Sequence, residues 1–166
     1  MPYKRKISED GKVEKFKCRL VAHGNRQIKG IYFQEASSPA PAAVSIKMIL
    51  SLAAIQDWEL RHVDFEQAYL QVPVDQEIFV EIHEIHVKYP DFPGEARRLD
   101  KAIYGLVQAG RCWSTKVTAD LSAKGFEQSH ADSCVFHKIV DGEVVAIIII
   151  YVDDLLINTK CTQSHG

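Results

Sequence analysis

The chain has 166 residues, enough for one ordinary domain and too few for two. Hydrophobic residues make up 46% and charged residues 25%, the balance of a soluble globular protein, so disorder, collagen and coiled coil are excluded as whole-chain descriptions. The net charge of −2 is unevenly spread: residues 1–30 hold nine Lys/Arg against three Asp/Glu, a net of +6, and residues 31–166 carry the balance of −8. A basic arm on an acidic body suits phosphate contacts at one end and cations at the other, or simply a solvated charged surface. The longest apolar run, residues 144–152, is about half of the ~18 residues a membrane span needs. No signal-peptide pattern opens the chain, so an intracellular setting is expected. None of Cys18, Cys112, Cys134 and Cys161 lies in a C-x-x-C pair, which points to reduced, mostly buried thiols.

Residues 3–7 and 13–21 flank Asp10-Gly11, a hairpin signal, and Lys17 and Arg19 alternate onto one face of the second strand. Residues 44–55 have helical spacing at Ile46, Ile49, Leu50, Ala53 and Ala54. Residues 58–69 change period: read as a strand they set Leu60, His62, Asp64 and Glu66 on one face, with Asp64 ending the apolar pattern before a change towards helix. Residues 78–87 read as a second β stretch and 89–94 as a Pro-rich loop. A helix is expected over residues 108–124, with Trp113, Val117 and Leu121 in step and Gly125 ending it. The last third is β: a strand at 135–140, a turn at Asp141-Gly142, a strongly β-branched strand at 144–152, and a further strand at 155–158.

Two adjacent acids, Asp153 and Asp154, interrupt an almost wholly apolar run. Neighbouring side chains on a strand point to opposite faces, so both stay in water only at the tip of a hairpin. They serve there either as ordinary turn residues or as a pair that gathers cations. Asp64, at the end of an apolar strand pattern, is either a helix N-cap or a third acid facing that pair. Hard oxygen ligands of this kind suit magnesium, and two such ions clamp the oxygens of a phosphoryl transfer. His83 and His86 would point to opposite faces of a strand, which disfavours zinc.

At this point the residues resemble a known family. Y-V-D-D at 151–154 is similar to the catalytic hairpin of reverse transcriptases, and the rest resembles the copia-type retrotransposon branch. F-K-C-R-L-V-A-H-G at 16–24 resembles K-A-R-L-V-A-K-G, and residues 38–54 resemble S-P-V-V-R-x-T-T-I-R-x-L-L-A-L-A-A. W-E-L-R-H-V-D-F-E-Q-A-Y-L at 58–70 resembles W-x-L-x-Q-x-D-V-x-x-A-F-L, and residues 99–113 resemble L-x-K-A-L-Y-G-L-K-Q-A-P-R-A-W. Five ordered blocks are far more specific than a lone Y-x-D-D.

The resemblance implies an α+β fold with fingers-like residues 1–57, a palm over 58–158 with an antiparallel sheet and helices on one face, and a polar tail at 159–166. It implies an RNA-directed DNA polymerase in which Asp64 and Asp153 bind two magnesium ions and Asp154 completes the triad. The primer 3′-hydroxyl would attack the α-phosphate of a dNTP, and pyrophosphate would leave. Tyr69 falls at the family's aromatic gate against a ribose 2′-hydroxyl, Gln108 at its nucleotide-lining glutamine, and Lys17 or Arg19 on the finger that holds the triphosphate. The implied partners are an RNA or DNA template-primer and dNTP.

The chain departs from the family at His23, Ala42, Val107 and Gly110, and at residues 70–73, where a turn Gly is replaced. It stops twelve residues after Asp154, where the family continues into further palm strands, a thumb and, in the polyprotein, an RNase H. The expectation is therefore a truncated domain without its thumb, with a non-catalytic, weakly nucleic-acid-binding transposon relic as the alternative.

Overall fold

The computed structural model describes residues 3–81 and 96–160. These carry nine β-strands, two α-helices and two short 3-10 turns. They group into two compact units, Met1–Ala36 with Tyr69–Cys112, and Ser37–Ala68 with Trp113–Gly166.

In the first unit β1 (Tyr3–Ile7) and β2 (Val13–Cys18) form the expected antiparallel hairpin. Gly11 supplies the left-handed turn residue, at φ 73°. The following segment lies along residues 104–108: Val21 bridges to Tyr104, and Ala22 N donates to Tyr104 O at 2.7 Å. Two glycines permit this approach. A Cβ on Gly105 would run into Ala22 O, and one on Gly24 into Gly105 O. β4 (Phe79–Glu81) pairs with β5 (Ala96–Arg98), and Val72, Ile78, Ala102 and Ile103 are buried nearby in sequence. The rest of the stretch expected over 78–87, with His83 and His86, lies outside the described residues, as do the loop at 89–94, Cys161 and most of the tail.

The second unit is built on one five-stranded antiparallel sheet, ordered β3-β9-β8-β7-β6. Its strands are β3 (Glu59–Asp64), β6 (Glu127–Gln128), β7 (Val135–Val140), β8 (Glu143–Tyr151) and β9 (Asp154–Thr159). Helix α1 (Ala43–Ile55) lays Ile46 and Ile49 on one face, against Val135, Ile147, Ile149 and Leu156. The fully buried ones, such as Ile49 and Ile149, each contribute roughly 1.5–3 kcal/mol by leaving water. Phe136, Ile148 and Leu155, on the opposite face, are buried as well. The continuous Ile run of β8 thus has buried apolar side chains on both faces of the sheet.

Helix α2 (Ala109–Ala123) starts in the first unit and continues in the second. Gly125, at φ 80°, ends it as expected, with Phe126 N bonded to Leu121 O and Gly125 N to Ser122 O. Asp141 and Gly142, both left-handed, make the tight β7–β8 turn. Thr159, expected in the tail, is the last residue of β9.

Candidate active site

Strand pairing brings the three acids to one end of the second unit's sheet. Asp64, last in β3, stands directly opposite Asp154, first in β9. Asp153 lies in the two-residue turn with Val152, and its carbonyl accepts the N–H of Phe65 at 2.7 Å. The expectation of both acids at the hairpin tip is thus corrected: Asp153 is in the turn, whereas Asp154 already belongs to the ladder. The chain closes the hairpin one residue earlier because Val152 takes φ 55°, a conformation rare for a β-branched residue.

Like charges directly opposite each other on a sheet repel. Here His62 intervenes: its Nε2 donates to Asp154 Oδ1 at 2.8 Å across the diagonal of the same face. His62 occupies the Gln position of the W-x-L-x-Q-x-D pattern, and nothing in the sequence marks it as a site residue. The side chains of His62 and Asp154 are at least half exposed, so this contact directs the carboxylate more than it stabilises the fold.

Among the described residues, no three His, Cys, Asp or Glu side chains are disposed to hold a metal ion. By register Asp64 faces Asp154, whose carboxylate is bonded to His62, and Asp153 lies in the adjoining turn. Oδ1 of Asp153 is buried. Carboxylate oxygens are hard donors of the kind that suit a divalent cation.

The residues expected at the nucleotide lie in the first unit. Lys17 is in β2 opposite Lys4, and Arg19 follows the end of that strand. The Arg19 guanidinium sits over the Tyr104 ring, 5.4 Å from its centroid, and Tyr104 meets Tyr69 edge-on at 4.7 Å. Arg19 and Tyr69 are therefore joined through Tyr104, which in the sequence stands out only as one letter of a motif. Gln108 is fully buried. Its Nε2 donates to Tyr32 O at 2.9 Å and its Oε1 accepts from Gln27 Nε2 at 3.2 Å, while Gln27 Oε1 accepts Val107 N at 2.8 Å. Gln27 is likewise hidden from sequence reasoning, since a single amide in a polar stretch carries no signal of its own. Arg111, of the same motif, pairs with Glu35 at 3.1 Å and Asp75 at 3.3 Å.

Of the described thiols, Cys112 and Cys134 are not reactive candidates. Burial, aided by Asp132, pushes Cys134 up to about 11, and burial followed by Asp75 raises Cys112.

The chain thus carries an acid pair across two antiparallel strands and a third acid in the turn in one unit, and a basic-aromatic group in the other. It belongs to the reverse transcriptase (RNA-dependent DNA polymerase) family, which matches residues 2–164. It is 34% identical over 160 residues to the retrovirus-related Pol polyprotein from transposon RE2 of Arabidopsis thaliana, covering 96% of this chain and 11% of that protein. It is 35% identical over 161 residues to the Pol polyprotein from transposon TNT 1-94 of Nicotiana tabacum, covering 95% of this chain and 12% of the relative. The transposon Ty1-BL Gag-Pol polyprotein of Saccharomyces cerevisiae is 28% identical over 150 residues, covering 90% and 8%. The copia-type resemblance is thus shown, and the chain spans about a tenth of the length of these relatives. No solved structure matches it. No helix among the described residues is long and apolar enough to cross a membrane.

Proposed function

We propose that this chain performs RNA-directed DNA synthesis as one part of a copia-type retrotransposon polyprotein. The observation that supports this most is the pairing of Asp64 with Asp154 across β3 and β9, with Asp153 in the adjoining turn. Asp64 and Asp153 are the proposed ligands for two Mg2+ ions. Such ions, when bound, supply charge stabilisation for the transferring phosphoryl group. Asp154, tethered by His62, adds negative potential beside that pair without joining it as a full ligand.

Arg19 and Lys17 neutralise triphosphate charge. Tyr69, braced by Tyr104, restricts the space beside the sugar and so favours deoxynucleotides. Gln108 lines the nucleotide site, its buried amide held by Tyr32 O and by Gln27, which also accepts Val107 N. The proposed partners are a template-primer, dNTP, and the thumb and RNase H regions of a longer polyprotein.

Primer extension with magnesium tests the reading, using the chain and an Asp153→Ala, Asp154→Ala double variant. Extension by the wild type that the double change abolishes is expected. No extension from well-folded wild-type protein would overturn catalysis by this chain and leave the transposon relic.

A further inference from the structure

Trp113 is 3% exposed, in the part of α2 that belongs to the second unit. A buried indole needs a partner for its N–H. Here the partner is the carbonyl of Val152, at 2.6 Å. Val152 is the residue at φ 55° in the acid turn. A branched Cβ is strained there, and such strain persists only where the surroundings over-determine it. The Trp113 ring also meets Phe65 edge-on, with centroids 5.1 Å apart and planes at 72°. Phe65 directly follows Asp64, and its N–H holds Asp153 O. One aromatic side chain therefore bears on both segments that carry the acids.

We propose that Trp113 is a positioning residue for the acid turn: its indole N–H clamps the Val152 carbonyl and keeps Asp153 beside the end of β3. Trp113 touches neither nucleotide nor cation. It acts through the turn, by stabilising a backbone conformation that Val152 would otherwise leave. The inference rests on the reading of Asp64 and Asp153 as cation ligands, and it makes a specific demand. A residue at 152 with no strain at positive φ needs no clamp. Glycine is that residue, and it is the preferred first residue of a two-residue hairpin turn with this backbone.

The test measures Mn2+ binding to the full chain by electron paramagnetic resonance, with no nucleotide or primer. Trp113→Phe keeps a ring and removes the N–H; benzothienylalanine at 113, an indole isostere with sulfur in place of N–H, removes it with less change in packing. Either is expected to weaken Mn2+ binding about tenfold. Adding Val152→Gly to either is expected to restore the affinity to about the wild-type value. A Trp113 that merely fills the core gains nothing from glycine at 152, so a well-folded double variant that stays weak overturns the proposal. Unchanged affinity in the single variants overturns it too. NMR couplings that report φ at residue 152 provide a readout independent of metal: the positive φ should disappear when the N–H is removed, and its retention sinks the clamp. If wild-type Mn2+ binding is indifferent to Asp153→Asn, the cation reading fails by itself, and the couplings at residue 152 still decide the role of Trp113.

Discussion

Asn158 sits in β9 between Leu60 and Ile147 and is fully buried, yet neither polar atom of its amide makes a hydrogen bond. An unsatisfied buried amide costs roughly 1–3 kcal/mol, whereas an apolar group of similar shape costs nothing of that kind. Asn158→Leu is therefore expected to stabilise the chain by about 1 kcal/mol in urea denaturation; a lower midpoint would show that the amide has a use this account lacks. Gln108 is the instructive contrast, equally buried but bonded at both ends of its amide. Composition and spacing do not distinguish the two, because what separates them is which backbone carbonyls happen to be near. The same holds for Val152. Nothing in its type signals a left-handed backbone, and residue preference places the turn one position later, at the acids.

At the scale of elements, both α-helices end in the same way. Gly125 supplies the left-handed residue after α2, and Asp57, at φ 53°, supplies it after α1, where Trp58 N bonds Ala53 O. The first is legible because Gly is the usual residue; the second is not. The start of α1 is equally hidden. Ala42 offers no capping side chain, and its N–H donates instead to Asp132 Oδ2 at 2.9 Å, from a residue 90 positions away. Burial works against the charge of Asp132, but hydrogen bonds from Ser45 and from the backbone of Cys134 and Ala42 outweigh it and hold the carboxyl below its ordinary value of 3.8. A depressed folded value stabilises the protein above the ordinary value. Asp132→Ala is thus expected to cost about 1 kcal/mol at pH 7. The wild-type advantage should begin to fade below the ordinary value and vanish once the pH has passed the depressed one. A gap that widens on acidification would contradict this. Helix α1, at residues 43–55, packs on the five-stranded sheet, whose strands lie at residues 59–64 and 127–159.

At the scale of the whole molecule, the uneven charge bears on binding. The first 30 residues, at a net of +6, are the proposed phosphate-contacting arm. Affinity for a primer-template should then fall linearly with salt on logarithmic axes, by roughly 0.7–0.9 per phosphate neutralised. Replacing the exposed Arg5, Lys12 and Arg26 with Gln should reduce that slope, by about one unit for each phosphate that is no longer neutralised. Fluorescence anisotropy over a salt series measures it, and an unchanged slope would place the phosphate-binding residues elsewhere. The two units are each assembled from separated stretches, because β3 pairs with β9 some ninety residues later.

Sequence alone determined the hairpin of β1 and β2, the two helices, the long β7 and β8 strands, and the family, because those rest on local periodicity, turn residues and ordered motifs. It also named the three acids. Only the tertiary structure decided how they are arranged: Asp64 against Asp154 through strand register, Asp153 in the turn, His62 on Asp154, and Trp113 on Val152. Register and long-range hydrogen bonds join residues far apart in the chain, and no local pattern encodes a partner 39 or 92 positions away.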